Sequence, residues 1–158
     1  MKKIAFTILL ASCCFVFSKA QDYNTGIGFR GGLSNGVTIK HFISPTIALE
    51  GIISSRWRGV ELTGLYELHG KAFQTKRLKW FIGFGGHVGF YDGQHTSNNW
   101  GASGNRYTVV GLDGILGLEY SFVGIPINIS VDWKPAFNFV GHSGVWADGG
   151  AISIRYIF

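Results

Sequence analysis

Two segments of the sequence combine side-chain types that could act on lipid esters. A serine or threonine near a histidine and an acidic residue has the composition of a hydrolase nucleophile with its base. The two segments contain His142, Ser143 and Asp148 in one case, and His95, Thr96 and Ser97 in the other. Because no spacing among these residues fixes a triad, we predict no catalytic residue and no enzymatic activity.

The same two segments contain the residues that could hold a metal ion. They are Asp92, His95, His142 and Asp148. Glycine-rich loops commonly contain such residues without any chemistry, so we predict no metal site and no cofactor. Three further histidines, His41, His69 and His87, lie on or near apolar alternating segments. They are expected to donate and accept hydrogen bonds in an interior or at an interface.

Ten charged residues alternate with apolar residues along the chain and would share one face of extended segments. They are Arg30, Lys40, Glu50, Glu61, Glu67, Asp113, Glu119, Asp132, Lys134 and Arg155. An isolated buried ion costs several kcal/mol, so charges gathered in one narrow interior must pair. Two interpretations remain open for this charge network, a plug of salt bridges or a path for protons or small ions.

Turn positions predict which of these charges meet. If Pro45 centres its turn, Lys40 lies opposite Glu50 on the neighbouring strand. If Asn35 centres the preceding turn, Arg30 lies opposite Lys40. With Glu50 neutralising one basic neighbour, exchanging Lys40 and Glu50 should be tolerated better than replacing Glu50 by alanine.

The last hairpin predicts a second meeting of charges. A turn centred at 144–145 sets Arg155 opposite Lys134 and diagonal to Asp132. The remaining carboxylates would share these cations.

The elements that position these charges are β-strands. Apolar and polar residues alternate repeatedly with period 2, and no stretch after residue 20 has the 18 consecutive apolar residues of a spanning helix. The clearest case sets Ile127, Ile129, Val131 and Trp133 on one face. We predict eight strands, near 24–33, 36–43, 46–56, 59–70, 78–91, 106–122, 125–138 and 150–158.

The composition of the polar strand face indicates whether polar or apolar side chains line the interior of the predicted barrel. A soluble lipocalin-like barrel has apolar residues inside, whereas a membrane barrel has apolar residues outside and polar ones inside. Here the charges share a face with glycine, and aromatic residues fall toward strand ends, as at the two membrane interfaces. We therefore predict an all-β, eight-stranded antiparallel up-and-down transmembrane β-barrel. Its aromatic girdle would be Trp80, Tyr91, Tyr107, Tyr120, Trp133 and Tyr156.

The two ends of the chain predict its route to the membrane. Residues 1–20 have a basic start, an apolar stretch and small residues before Gln21, as in a cleaved secretory signal. The single barrel domain would then span 21–158. Lipoprotein processing at Cys13 is the open alternative. At the other end, a run resembles the C-terminal signal by which outer-membrane barrels are recognised for assembly: Ile152, Ile154, Tyr156 and Phe158.

Short motifs extend this resemblance to nearly the whole of 21–158. They include the stretches 36–42, 48–51, 65–67 and, most clearly, 117–135. The sequence resembles small outer-membrane barrels of the OmpA/OmpX type, and more narrowly the uncharacterised porin-family-like barrels of Bacteroidota. The resemblance implies a bacterial outer-membrane location, contact with outer-membrane lipid, and barrel-assembly machinery and periplasmic chaperones as partners during biogenesis. It supplies no catalytic residues.

Net charge and loop composition reduce the number of functions that the sequence supports. Without the three lysines of residues 1–20, 11 basic and 9 acidic residues remain, which gives no reason to expect a nucleic-acid partner. The leading prediction is a structural or surface-interaction barrel with a largely plugged lumen. The alternatives are a narrow channel and, more remotely, a lipid hydrolase at the rim. Two interpretations remain open for the tryptophans of the long loops, which could serve recognition or belong to the outer aromatic girdle. The residues that could serve recognition are Asn98, Asn99, Trp100 and Trp146.

Overall fold

The alternating segments form ten strands in the part of the chain that the structure describes. The computed structural model describes residues 23–56, 59–73, 75–91, 107–141, 144–147 and 149–158. The strands are β1 (Thr25–Gly32), β2 (Asn35–Ser44), β3 (Ile47–Arg56), β4 (Gly59–Ala72), β5 (Thr75–Tyr91), β6 (Tyr107–Ser121), β7 (Ile127–Trp133), β8 (Ala136–Val140), β9 (Gly144–Trp146) and β10 (Gly150–Ile157).

These ten segments build a closed antiparallel barrel of eight strands. Chain neighbours pair from β1 to β6, β6 pairs with both β7 and β8, and β10 joins β7 to β1. Thus β7 and β8 make one interrupted strand, and β9 and β10 make another. The interruption falls at Pro135, which has no N–H to donate, although its carbonyl still accepts from the Gly114 amide at 2.9 Å. The predicted fold class of an all-β, eight-stranded antiparallel barrel is confirmed.

The pleat sends alternate side chains to opposite sides of the barrel wall. On β10, the even-numbered residues face outward and the odd-numbered ones are buried. The outer surface is apolar, with Phe29 76% exposed and Phe84 68%, whereas Lys40 and Arg155 are both 0% exposed. The charged side chains therefore lie inside and the large apolar ones outside, the reverse of a water-soluble barrel.

The two ends of the barrel differ in their connections. At the terminal end, where β1 begins and β10 finishes, β2, β4 and β6 are each followed by the next strand after two to five residues. At the opposite end, β5 finishes at Tyr91 and β6 begins at Tyr107. Among the described residues, no helix is long and apolar enough to cross a membrane.

Candidate functional site: the charged interior

Two groups of ionisable side chains occupy the lumen. We call the first the Lys40 cluster, and it contains Lys40, Glu50, Glu67, His69, Glu119 and Arg155. We call the second the Lys134 cluster, and it contains Lys134, Glu61, His87, Tyr91 and Asp113. Each of these side chains on a strand points inward because its position has the inward parity of that strand, and Lys134 continues the parity of β7 one residue beyond its end.

Lys40 is the centre of the first cluster. Its Nζ lies 2.7 Å from Glu67 Oε2, 3.2 Å from Glu50 Oε2 and 3.8 Å from Glu119 Oε2. The ammonium also lies 4.1 Å from the centre of the Phe81 ring, a distance suited to a cation–π contact. One lysine from β2 is thereby tied to β3, β4, β5 and β6.

Arg155 brings β10 into the same cluster. Its guanidinium pairs with Glu50 Oε1 and donates to Ser130 Oγ at 2.7 Å. Glu50 Oε1 also accepts from the Thr38 hydroxyl. On the terminal side, Tyr23 donates its hydroxyl to Glu119 Oε2 at 3.1 Å. The Lys40 cluster therefore connects strands from around the whole barrel.

His69 lies between two carboxylates of the Lys40 cluster. Its Nε2 is 3.0 Å from Glu67 Oε2, and its Nδ1 is 3.4 Å from Glu119 Oε1. Three carboxylates face two permanent cations here, and an imidazolium is the form of histidine that presents N–H to both sides. A protonated His69 would balance the charge of the cluster.

The Lys134 cluster repeats this composition nearer the opposite end. Lys134 Nζ lies 2.5 Å from Asp113 Oδ1 and 3.3 Å from Glu61 Oε1. Asp113 also lies 2.7 Å from His87 Nδ1, and Tyr91 donates to Glu61 Oε2 at 3.2 Å. Two carboxylates again face one permanent cation and one histidine.

The Arg30–Asp132 pair completes the charge network. The two guanidinium nitrogens Nη1 and Nη2 lie 2.7 and 2.5 Å from the two carboxylate oxygens, and both side chains are buried. Such a bidentate contact is the strongest geometry for this pair. All ten charged residues singled out from the sequence thus lie inside the barrel in ion pairs.

Apolar layers separate and close these clusters. Along β4 the inward side chains run from Glu61 past Leu65 to Glu67, and along β6 Ile115 lies between Asp113 and Glu119. The middle layer consists of Ile52, Leu65, Phe81 and Ile115. A second layer lies at the terminal end and consists of Tyr23, Phe42, Ala48 and Ile157. Neither layer is among the features predicted from the sequence, although Ile52 and Leu65 interrupt the polar residues on the inward faces of β3 and β4.

The register confirms one predicted meeting of charges on β2 and corrects another. Lys40 is paired with Glu50, which is the predicted neighbour for a turn at Pro45. Arg30 is paired with Gly36, not with Lys40. The turn between β1 and β2 is centred near Leu33, midway between the paired residues Arg30 and Gly36.

The predicted register of the last hairpin is also wrong. Arg155 pairs with Asn128 and not with Lys134, and Asp132 pairs with Ala151. The chain turns near Gly141, whose φ of 85° is in the left-handed region that glycine adopts without strain. Because the turn lies about three residues earlier than predicted, the partner of Arg155 on the neighbouring strand is six residues away from the predicted one. The Arg155 guanidinium pairs with Glu50 instead.

One residue of the predicted aromatic girdle, Tyr91, lies inside the barrel and not on its outer surface. Trp80, Tyr120, Trp133 and Tyr156 lie outside and are each between 37% and 47% exposed. Tyr91 is buried in the lumen at 3% exposure, because it shares the parity of His87 and not of Phe90. The side chain of Tyr107 lies outside the described residues.

The remaining predicted residues are divided between strands and undescribed segments. The side chains of Ile152, Ile154, Tyr156 and Phe158 lie on the outer surface, and their role as an assembly signal stays a prediction. Trp146 is not in a loop, since it lies on β9 with its ring 5.7 Å from the Arg56 guanidinium carbon. The other candidates for recognition, catalysis or metal binding lie outside the described residues: Asp92, His95, Thr96, Ser97, Asn98, Asn99, Trp100, His142, Ser143 and Asp148.

The three histidines on strands have polar neighbours. His69 and His87 are inside the barrel as described above, and His41 lies outside with its Nδ1 2.8 Å from Thr25 Oγ1. Among the described residues, no group of three or more His, Cys, Asp and Glu side chains has the arrangement of a metal site.

Comparison with protein-family models finds no match, and comparisons with curated proteins and with solved structures find none either.

Proposed function

We propose that this protein is a bacterial outer-membrane barrel whose lumen is closed by ion pairs and apolar layers. The observation that carries the proposal is the reversed distribution of side chains over a closed barrel wall. In hydrocarbon every backbone N–H and C=O must be paired within the protein, and a closed barrel meets this condition. A lipocalin-like barrel would need the opposite distribution, with apolar residues inside.

Within this proposal the barrel is of the small OmpA/OmpX type, and the sequence motifs favour an origin in Bacteroidota. The N-terminal segment would direct secretion through the inner membrane. The barrel-assembly machinery and periplasmic chaperones would be its partners during biogenesis. After insertion, its surroundings would be outer-membrane lipid.

The closed lumen supports a structural or surface-interaction role. Lys40 and Lys134 each bind more than one carboxylate, and Phe81 and its apolar neighbours lie between the two clusters. A continuous polar path for ions is thereby interrupted, so we rank a narrow channel second. A lipid hydrolase at the rim would depend on residues outside the described part of the chain and stays a remote alternative.

The proposal is tested by placing one charge on each of two exposed apolar positions. Ile39 is 49% exposed in the middle of β2, which pairs on both sides, and Val145 is 69% exposed on β9, which pairs with β8 alone beyond the end of β1. A lysine facing the membrane midplane costs roughly 2–4 kcal/mol, whereas an exposed lysine on a soluble protein costs almost nothing. We expect Ile39→Lys to impair membrane insertion and Val145→Lys to leave it intact.

Insertion is measured by outer-membrane fractionation and by the faster gel migration of the unheated folded barrel. Recovery of the unmodified protein in the soluble periplasm would overturn the proposal. Equal insertion of the two lysine variants would also count against it.

A further inference from the structure

Asn138 is a buried amide at the end of the barrel opposite the chain termini. It lies on β8 with its side chain in the lumen and is 0% exposed. Among the described residues, neither its Oδ1 nor its Nδ2 has a hydrogen-bond partner. Because buried polar groups in native proteins are nearly always hydrogen-bonded, this amide is expected to bind water or a ligand.

Two glycines flank Asn138 on the lumen side of the wall. Gly111 is paired with Asn138 on β6, and Gly144 is paired with it on β9. The space above Gly111 is filled, because a Cβ there would lie 2.6 Å from His87 Cε1 and 2.8 Å from Asn138 Oδ1. The space above Gly144 is open, since a Cβ there would have no described atom within 4 Å. We call this open space the Gly144 recess.

An indole forms another side of the Gly144 recess. Trp146 lies opposite Ala136 on the same face of the ladder, so it is a diagonal neighbour of Asn138. Gly144 and Trp146 are both partly exposed, and solvent therefore reaches the recess from the mouth of the barrel. An apolar wall beside a few polar groups is the usual composition of a small-molecule site.

The charged groups near the recess already contact one another. Lys134 contacts Asp113 and Glu61, and Asp113 also contacts His87. A charged ligand would have to displace these contacts. The recess is therefore better suited to a neutral ligand.

The amide group itself indicates the chemistry of that ligand. A primary amide presents an acceptor and a donor side by side. A trans peptide group cannot satisfy both atoms, because its N–H and C=O point in opposite directions. Hydroxyl groups on two adjacent carbons can do so, since one donates to Oδ1 while the other accepts from Nδ2.

We propose that the Gly144 recess binds a neutral sugar residue, with two adjacent hydroxyl groups on Asn138 and the C–H face of the sugar ring against Trp146. Sugars combine both features in one small ring. Because Asn138 is closed to solvent, binding includes a rotation of its side chain from Gly111 toward the recess. The inference rests on the surface-interaction role within the proposed function and adds the class of ligand.

The test follows the side-chain amide signal of Asn138 by NMR. The isotope-labelled full chain is refolded into lipid nanodiscs and titrated with the methyl glycosides of mannose, glucose and galactose. Fully O-methylated forms of the same glycosides serve as controls, because they keep the ring and lose the hydroxyl donors. We expect at least one glycoside to shift the Asn138 signal saturably at millimolar concentrations, and the O-methylated forms to leave it unchanged.

Three variants separate binding from folding. Asn138→Leu replaces an unpartnered polar group by an apolar one of similar shape, so the barrel should fold at least as well. Its sugar affinity should fall at least tenfold, measured on the backbone signals of Gly111 and Gly144. Gly144→Val should fill the recess and also abolish binding. Gly150→Val is the matched control, since a Cβ there also has no described neighbour within 4 Å but lies on the outer surface, and it should bind sugar like the unmodified chain.

Unheated gel migration verifies that each variant is folded. An Asn138 signal unchanged by all the glycosides would overturn the inference and assign the amide to bound water. Equal shifts with the O-methylated forms, or full sugar binding by Asn138→Leu, would overturn it as well. Any of these results in an inserted barrel leaves the membrane proposal standing. Failure of the unmodified chain to enter nanodiscs would overturn the membrane proposal and, with it, this inference.

Discussion

At the scale of single residues, most lumen charges have several partners. Glu50 contacts Lys40, Arg155 and Thr38, and Lys40 contacts two further carboxylates. Breaking a buried pair by removing one partner leaves an uncompensated charge, which is more costly than the net value of the pair. Mutational effects in this lumen are therefore expected to be larger than in a two-residue salt bridge.

Removing the central cation tests this expectation. Lys40→Met would remove the cation that contacts Glu50, Glu67 and Glu119 together, so we expect the free energy of unfolding to fall by about 3–5 kcal/mol. Lys71→Met removes an exposed lysine and should change stability by no more than about 0.5 kcal/mol. Urea unfolding in lipid vesicles measures both variants. If both variants lowered the free energy of unfolding by a similar small amount, the buried charge network would be contradicted.

The exchange of Lys40 and Glu50 is now expected to be harmful. A glutamate at 40 would lie beside Glu67 and Glu119, and a lysine at 50 would lie beside Arg155. We expect Lys40→Glu with Glu50→Lys to destabilise the barrel at least as much as Glu50→Ala, measured by the same urea unfolding. If the double variant were nearly as stable as the wild-type protein, Lys40 and Glu50 would behave as an isolated ion pair and not as part of a cluster.

The sequence predicts the pairing of Lys40 with Glu50 but not the rest of the Lys40 cluster, and there is a physical reason for this difference. A turn at Pro45 determines the register of two adjacent strands, and this sufficed for Lys40 and Glu50. The contacts of Lys40 with Glu67 and Glu119 cross the lumen, and they depend on barrel closure and stagger, which no local pattern encodes. The predicted neighbour of Arg155 was wrong for a different reason, because the turn of its hairpin lies near Gly141 and not at 144–145.

At the scale of strands, alternation predicted the elements well. The predicted segments near 36–43 and 46–56 agree with β2 and β3 to within a residue or so, because period 2 persists along both. The short strand β9 escaped prediction, since its three residues lie in a glycine-rich polar stretch. Tyr91 was assigned to the girdle for its position at a strand end, although its parity places it inside.

Glycines in adjacent strands have different roles, and two of them provide a matched pair. A Cβ on Gly85 would lie 1.9 Å from the Gly64 carbonyl oxygen, whereas a Cβ on Gly64 would have no atom within 4 Å. We expect Gly85→Ala to disturb the β4–β5 ladder at a cost of roughly 1–3 kcal/mol. Gly64→Ala should be neutral or slightly stabilising.

For both glycine variants, the yield of folded barrel is measured as the fraction of refolded protein that migrates fast on a gel without heating. Equal yields would show that the two strands can separate without cost and would contradict the close packing at Gly85.

At the scale of the whole molecule, the layered lumen predicts very low conductance. The apolar layer around Phe81 separates the two charged clusters, and the layer around Phe42 closes the terminal end. In planar bilayers we expect purified protein to produce no steady single-channel openings. Regular openings, abolished by Lys40→Met, would instead establish the narrow channel as the function.

The proposed contact between the outer wall of the barrel and lipid is tested most directly by spin labels on single cysteines at Ile152, Ser153 and Ile154. Cys13 and Cys14 are replaced by serine, and the protein is refolded into vesicles. Labels at 152 and 154 should collide readily with oxygen dissolved in the bilayer and poorly with a water-soluble nickel complex, and the label at 153 should be shielded from both. Strong collisions with the nickel complex at 152 and 154 would contradict the account.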